Sequence, residues 1–186
     1  ADLNAVSVLW VMDLQGTCIA ASNADKAESF VGTRYADRDY FKSAAQGLAG
    51  QQFAIGKKTG IPGLFFSTPV LRNEKVVGVM AVKVDLPFLS LWLSQANAFV
   101  TDEYGVVIMA TDHRLMLQAF DAARLQNLSV EQSMQRYHLG RVPALDIRKK
   151  ARSGFADMLL VDQQPAPVLH TQHSVSGDRL FLVHGI

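Results

Sequence analysis

The feature that most constrains this chain is an internal repeat. Val11-Met12-Asp13-Leu14-Gln15-Gly16 leads into Ala20-Ala21-Ser22, and Val100-Thr101-Asp102-Glu103-Tyr104-Gly105 leads into Met109-Ala110-Thr111. The Asp, Gly and Ala positions recur at one offset of 89 residues. The final hairpin of the first copy, Val70-Leu71 through a turn to Val76-Val77, has an echo in Ser174-Val175 through Ser176-Gly177-Asp178-Arg179 to Leu180-Phe181. A repeat of this period means one supersecondary unit used twice. The chain reads as two α+β units, at 1–86 and 99–186, joined by a helical connector at 87–98 that carries Leu89, Leu91, Trp92 and Leu93.

Local patterns describe the unit. Val8 to Met12 is β-rich, Asp13 to Gly16 a turn, and Thr17 to Ala21 the return strand. A polar stretch, Ser22 to Ser29, precedes a helix expected from Asp37 to Leu48, with Asp37 as N-cap, Tyr40, Phe41, Ala44, Ala45 and Leu48 on one face, and Gly47 or Gly50 ending it. Strands are expected at Gln52 to Ile55, Leu64 to Leu71 and Val76 to Val84, the last two joined by the turn Arg72 to Lys75. About five antiparallel strands and one helix make a small α+β domain. In the second copy Leu125 to Gly140 carries helical patterning, and Arg148-Lys149-Lys150, without counterpart in the first, reads as a solvated surface.

Composition removes several function classes. Of 186 residues 49% are hydrophobic, which supports a packed core, and the net charge of +1 is spread along the chain, unlike the footprint of a nucleic-acid binder. One cysteine, Cys18, in an apolar run, builds neither a disulfide framework nor a zinc site and reads as a small buried hydrophobe. His170 and His173 stand in an extended segment that turns them to opposite faces, and His113, His138 and His184 stand apart, so no metal or other cofactor is expected. Gly50 to Thr59 fails as a phosphate loop in both spacing and residue type, and no nucleophile elbow, HExxH or GxGxxG occurs, so no catalysis is expected of this chain. Trp10 and Trp92 read as core. The most apolar stretch, Val76 to Leu93, is broken by Lys83, Asp85 and Pro87, against a membrane span. The pattern runs to both ends, as in a piece of a longer protein.

Gly32-Thr33-Arg34-Tyr35-Ala36-Asp37-Arg38-Asp39-Tyr40-Phe41, Gly56-Lys57-Lys58-Thr59-Gly60-Ile61-Pro62-Gly63, Phe66-Ser67-Thr68-Pro69-Val70 and Gly78 to Leu86, in this order, resemble the double Cache (PDC, PAS-like) sensor domains, most closely those of C4-dicarboxylate sensor histidine kinases. The resemblance covers roughly the first 110 residues. It implies two tandem PAS-like units, each an antiparallel sheet flanked by helices, preceded by a long N-terminal helix of which Ala1 to Val6 would be a stub. It also implies a periplasmic position between two membrane helices, a homodimeric receptor, a small organic acid bound in the first unit, and a histidine kinase, diguanylate cyclase or chemotaxis output elsewhere.

Two cations carry the chemistry. Arg38, in the first helical turn beside Tyr35, Tyr40 and Phe41, faces either solvent or a cavity, and its planar fork suits a carboxylate. Lys83 interrupts an apolar strand on the face of Val77, Val79, Ala81 and Asp85; it needs either Asp85 or a ligand anion as its partner. By resemblance, Arg38 and Lys83 share one carboxylate-bearing ligand, helped by Tyr35. Tyr40, Phe53, Lys57, Ser67 and Asp85 complete the expected site, with 56–63 as a covering loop. Asp37, Asp39 or Asp85 would suit the ammonium of an amino acid.

Overall fold

The structure, a computed structural model, describes residues 6–86, 98–149, 158–161, 168–169, 171–174 and 182–185. The chain divides into two compact units, Ala1–Phe88 and Leu89–Ile186. The connector expected at 87–98 with Trp92, the N-terminal stub before Val6, the turn of the last hairpin and His170 lie almost wholly outside the described residues.

The first unit is one antiparallel sheet of β1 (Val6–Met12), β2 (Cys18–Ala21), β3 (Gly50–Ile55), β4 (Pro62–Arg72) and β5 (Lys75–Asp85), in the order β2-β1-β5-β4-β3, with helix α1 (Asp39–Ala45) packed on it. Alternation in β5 holds as expected: Val79, Ala81 and Lys83 are buried on one face, while Met80 on the other is exposed. Trp10, Cys18, Phe30, Tyr35, Tyr40 and Phe65 form the core with Val79 and Ala81.

Helix α1 is shorter than its pattern suggests, and its start is corrected. Arg38, extended at φ −77°, takes the N-cap position with no side-chain cap, and the Asp39 amide donates instead to Gln52 Oε1 on β3 at 3.0 Å. Asp37 therefore does not cap the helix; its carboxylate takes the Lys57 ammonium. At the far end Gly47, at φ +88°, donates to Ala44 O at 3.0 Å and Leu48 donates to Ser43 O at 3.1 Å, a Schellman closure.

The second unit contains β6 (Ala98–Thr101), β7 (Val107–Ala110), 3-10 turns at His113–Leu115 and Ala122–Asn127, helix α2 (Val130–Tyr137), β8 (Ile147–Lys149), β9 (Met158–Val161), β10 (Val168–Leu169), β11 (Thr171–Ser174) and β12 (Leu182–Gly185). These strands pair as β11-β12-β6-β7 and β10-β9-β8. Arg148 and Lys149 are part of β8. A capping box absent from the sequence reading starts α2: the Gln132 amide donates to Ser129 Oγ and the Ser129 amide to Gln132 Oε1.

The repeat is visible in atoms. Asp13 Oδ1 accepts from the amides of Gln15 and Thr17; Asp102 Oδ1 accepts from those of Tyr104 and Val106, the same positions 89 residues on. Gly16 and Gly105 both have positive φ, at +80° and +72°. The carbonyl of each glycine accepts from an aromatic residue's amide, Tyr35 at 2.7 Å and Phe120 at 2.8 Å. Register shifts fall at Val11/Met12 and Val100/Thr101. A short Asp-anchored turn with left-handed glycine is thus the element the sequence repeats.

Candidate functional site: two buried cations at the end of strand β3

Strand register assembles the site. Trp10 opposes Ala81, which opposes Ser67, which opposes Gly50; one step along, Val8 opposes Lys83, which opposes Phe65, which opposes Gln52. Helix α1 covers these two rows, stacking the Tyr40 ring on Phe65 at 5.3 Å and setting it edge-on to Trp10 at 6.0 Å.

Both cations are buried: Arg38 is 3% and Lys83 1% exposed. An isolated cation there would cost several kcal/mol of desolvation. Arg38 Nη2 donates to the Ile55 carbonyl at 3.0 Å. Lys83 Nζ meets Asp85 Oδ1 at 2.5 Å and Thr59 Oγ1 at 3.3 Å. A Cβ built on Gly56 would lie 3.6 Å from Lys83 Nζ. Folding therefore brings cations from α1 and β5 to the junction Ile55–Gly56, where β3 enters the covering loop.

The surrounding polar atoms are not all satisfied. Trp10 Nε1 and Tyr40 Oη are buried without a hydrogen-bond partner. Burial pushes the Tyr40 hydroxyl well above its ordinary value, which keeps it a neutral donor, although Arg38 pulls the other way. Burial raises Tyr35 in the same way. Since nearly all buried polar groups in proteins are paired, unpaired donors in the cluster that holds Arg38 suit a ligand rich in acceptors.

The loop 56–61 closes on itself through Gly56 N to Ile61 O at 3.1 Å and Gly60 N to Gly56 O at 2.9 Å. Lys57 fastens it to the segment before α1, donating to Arg34 O at 2.9 Å and pairing with Asp37, with its ammonium 5.7 Å from the centre of the Tyr35 ring. Gly63 lies directly under Lys83; a Cβ there would come within 2.7 Å of Lys83 Cε.

The structure brings Tyr35, Arg38, Tyr40, Lys57, Lys83 and Asp85 into one neighbourhood. Ser67 is in the adjoining row, but its hydroxyl donates to the Tyr40 carbonyl at 2.6 Å and so is committed to holding α1. Phe53 is fully buried in register with Leu64, and strand alternation puts it on the opposite face from Gln52 and Ala54. Sequence reasoning left out Trp10, treated as core alone, and Thr59. Only pairing register shows that Trp10 opposes Ala81, two residues from Lys83.

No family model matches the chain. The C4-dicarboxylate transport sensor protein DctB of Pseudomonas aeruginosa is 36% identical over 106 residues, 56% of this chain and 17% of that protein. The protein of the same description from Rhizobium meliloti is 34% identical over 107 residues, again 56% and 17%. The chain thus spans about a sixth of the length of these curated relatives. The sensor domain of the Vibrio cholerae histidine kinase DctB superposes with a TM-score of 0.76 at 22% identity, over 96% of this chain and 71% of that one. The chain has the double Cache (PDC) sensor fold. The ligand-binding domain of the Pseudomonas aeruginosa amino-acid chemoreceptor PctC, solved with GABA, shares this Cache fold at a TM-score of 0.56 and 18% identity, over 98% and 74% of the two chains.

Proposed function

We propose that this chain is the extracytoplasmic sensory part of a transmembrane signalling receptor, and that its first unit binds a small organic anion, with C4-dicarboxylates the leading class. The reading rests on the convergence of Arg38 and Lys83 at Ile55–Gly56 beside unpaired buried donors. An incoming carboxylate would take the Arg38 fork and share Lys83 with Asp85, while Trp10 and Tyr40 would donate to its remaining oxygens. The covering loop, already held down by Thr59 on Lys83 and by the Lys57–Asp37 pair, would lie over it. A ligand that prefers this closed arrangement shifts its population, and the shift is the signal.

The likeness to DctB proteins supports a two-component histidine kinase as the whole receptor, periplasmic in this part, membrane-anchored and homodimeric; a diguanylate cyclase or a chemotaxis receptor is the alternative output. No described helix is long and apolar enough to cross a membrane. Asp85, beside Lys83, favours a second reading, an amino acid whose ammonium it would take. A thermal-shift panel of succinate, fumarate, malate, acetate, GABA and L-alanine tests the reading. A concentration-dependent rise in Tm with a dicarboxylate supports it, a rise with amino acids alone favours the second reading, and no rise with any member contradicts both.

A further inference from the structure

The second unit contains a separate open cleft of about 660 Å³, bordered by the 3-10 turn at 122–127, the start of α2 and the segment 140–144. That volume is in the range of small-molecule sites, roughly 300–1,000 Å³. Its walls are largely apolar, with Leu125, Leu128, Val142 and Pro143 among them. Two polar groups stand out. Ser133, only 3% exposed, lines the cleft, and its hydroxyl has no hydrogen-bond partner. Arg141 also lines it, and no acidic side chain does among the described residues.

We propose that this cleft is a second ligand site, distinct from that of Arg38 and Lys83, and that it takes an amphipathic monocarboxylate. A hydrocarbon body removes the apolar walls from water at about 25 cal/mol per Å². The carboxylate is held by the Arg141 guanidinium, whose planar fork suits it. Ser133 supplies the hydroxyl that pairs with the carboxylate and is otherwise unsatisfied. A dicarboxylate is disfavoured, because its second charge would lie against the apolar walls with no cation to meet it.

Isothermal titration of the 186-residue chain with octanoate tests this. Saturable binding is expected, undisturbed by excess succinate. Arg141→Ala weakens octanoate at least tenfold, and Ser133→Ala weakens it two- to fivefold. Both variants keep the wild-type far-UV spectrum, since Arg141 is at the surface and Ser133→Ala removes one atom. 1-Octanol, with the same chain and no charge, binds at least tenfold more weakly than octanoate. Octanol binding as tightly as octanoate, Arg141→Ala binding like wild type, or no saturation would each overturn the proposal. Displacement of octanoate by succinate would assign the binding to the first unit and overturn it also.

Discussion

Lys83 Nζ lies 2.5 Å from Asp85 Oδ1, two residues along the same face of β5. The pair is unequal: the Lys83 side chain is 1% exposed and that of Asp85 19%. Removing Asp85 leaves a fully buried cation, whereas removing Lys83 leaves a carboxylate that is partly exposed as a whole, though its Oδ1 is buried. Asp85→Asn should therefore cost about 3 kcal/mol and Lys83→Met about 1–2 kcal/mol, and the double variant should fall close to Lys83→Met alone. Urea denaturation of the four proteins measures this; costs that simply add would show that the two side chains do not depend on each other.

The repeated turn predicts a contrast among glycines. Gly16 has φ +80°, and a Cβ there would lie 2.6 Å from Ala36 N; Gly32 has φ +79° with open space around it. Gly32→Ala carries the left-handed backbone cost alone, about 1 kcal/mol. Gly16→Ala adds a collision with rigid backbone and should cost at least twice as much. Chemical denaturation that ranks the two equally would show that Ala36 yields freely.

Asp102 should make the second unit sensitive to pH. Its carboxyl is pushed up to about 7, first by burial and then by the Glu103 carboxylate, against the Tyr137 hydrogen bond, the Val106 amide and Arg136. An unfolded aspartate titrates near ~3.9. Between these values the folded chain holds a proton that the unfolded chain has released, so stability falls as pH rises from about 4 to about 7 and levels off above. Asp102→Asn keeps an acceptor for the Tyr104 and Val106 amides and should flatten that slope. Melting curves across the window that slope equally in both proteins would contradict this.

Ser67 separates support from recognition. Its hydroxyl holds the Tyr40 carbonyl at 2.6 Å, so Ser67→Ala should lower stability by about 1–2 kcal/mol. Succinate affinity in the folded variant should change less than threefold. A tenfold loss would place the hydroxyl on the ligand instead.

Much of the first unit was legible because its signals are local. Asp13 and Gly16 announce a turn, Asn73 and Glu74 both take positive φ between β4 and β5, and period-two alternation places Lys83 with Ala81. What the sequence hid depends on register and on distant partners. Asp37 has the chemistry of an N-cap, yet Lys57, twenty residues on, takes its carboxylate, and Gln52 serves the helix instead. Phe53 sits one residue from Gln52 but on the other face, which only the pairing with Leu64 reveals. Trp10 reads as core and is core; its unpaired indole N–H is a fact of packing that no pattern encodes. The cleft of the second unit is built by a 3-10 turn at 122–127, the start of α2 and the irregular segment 140–144, whose meeting no local periodicity reports.

The most direct measurement is calorimetric titration of succinate into the wild-type chain and into Arg38→Lys, with folding of both confirmed by circular dichroism. Lysine keeps the charge but loses the planar fork. If Arg38 grips a ligand carboxylate, the wild type binds saturably and the variant at least tenfold more weakly, with its fold intact. Equal affinities in two folded proteins would contradict the account.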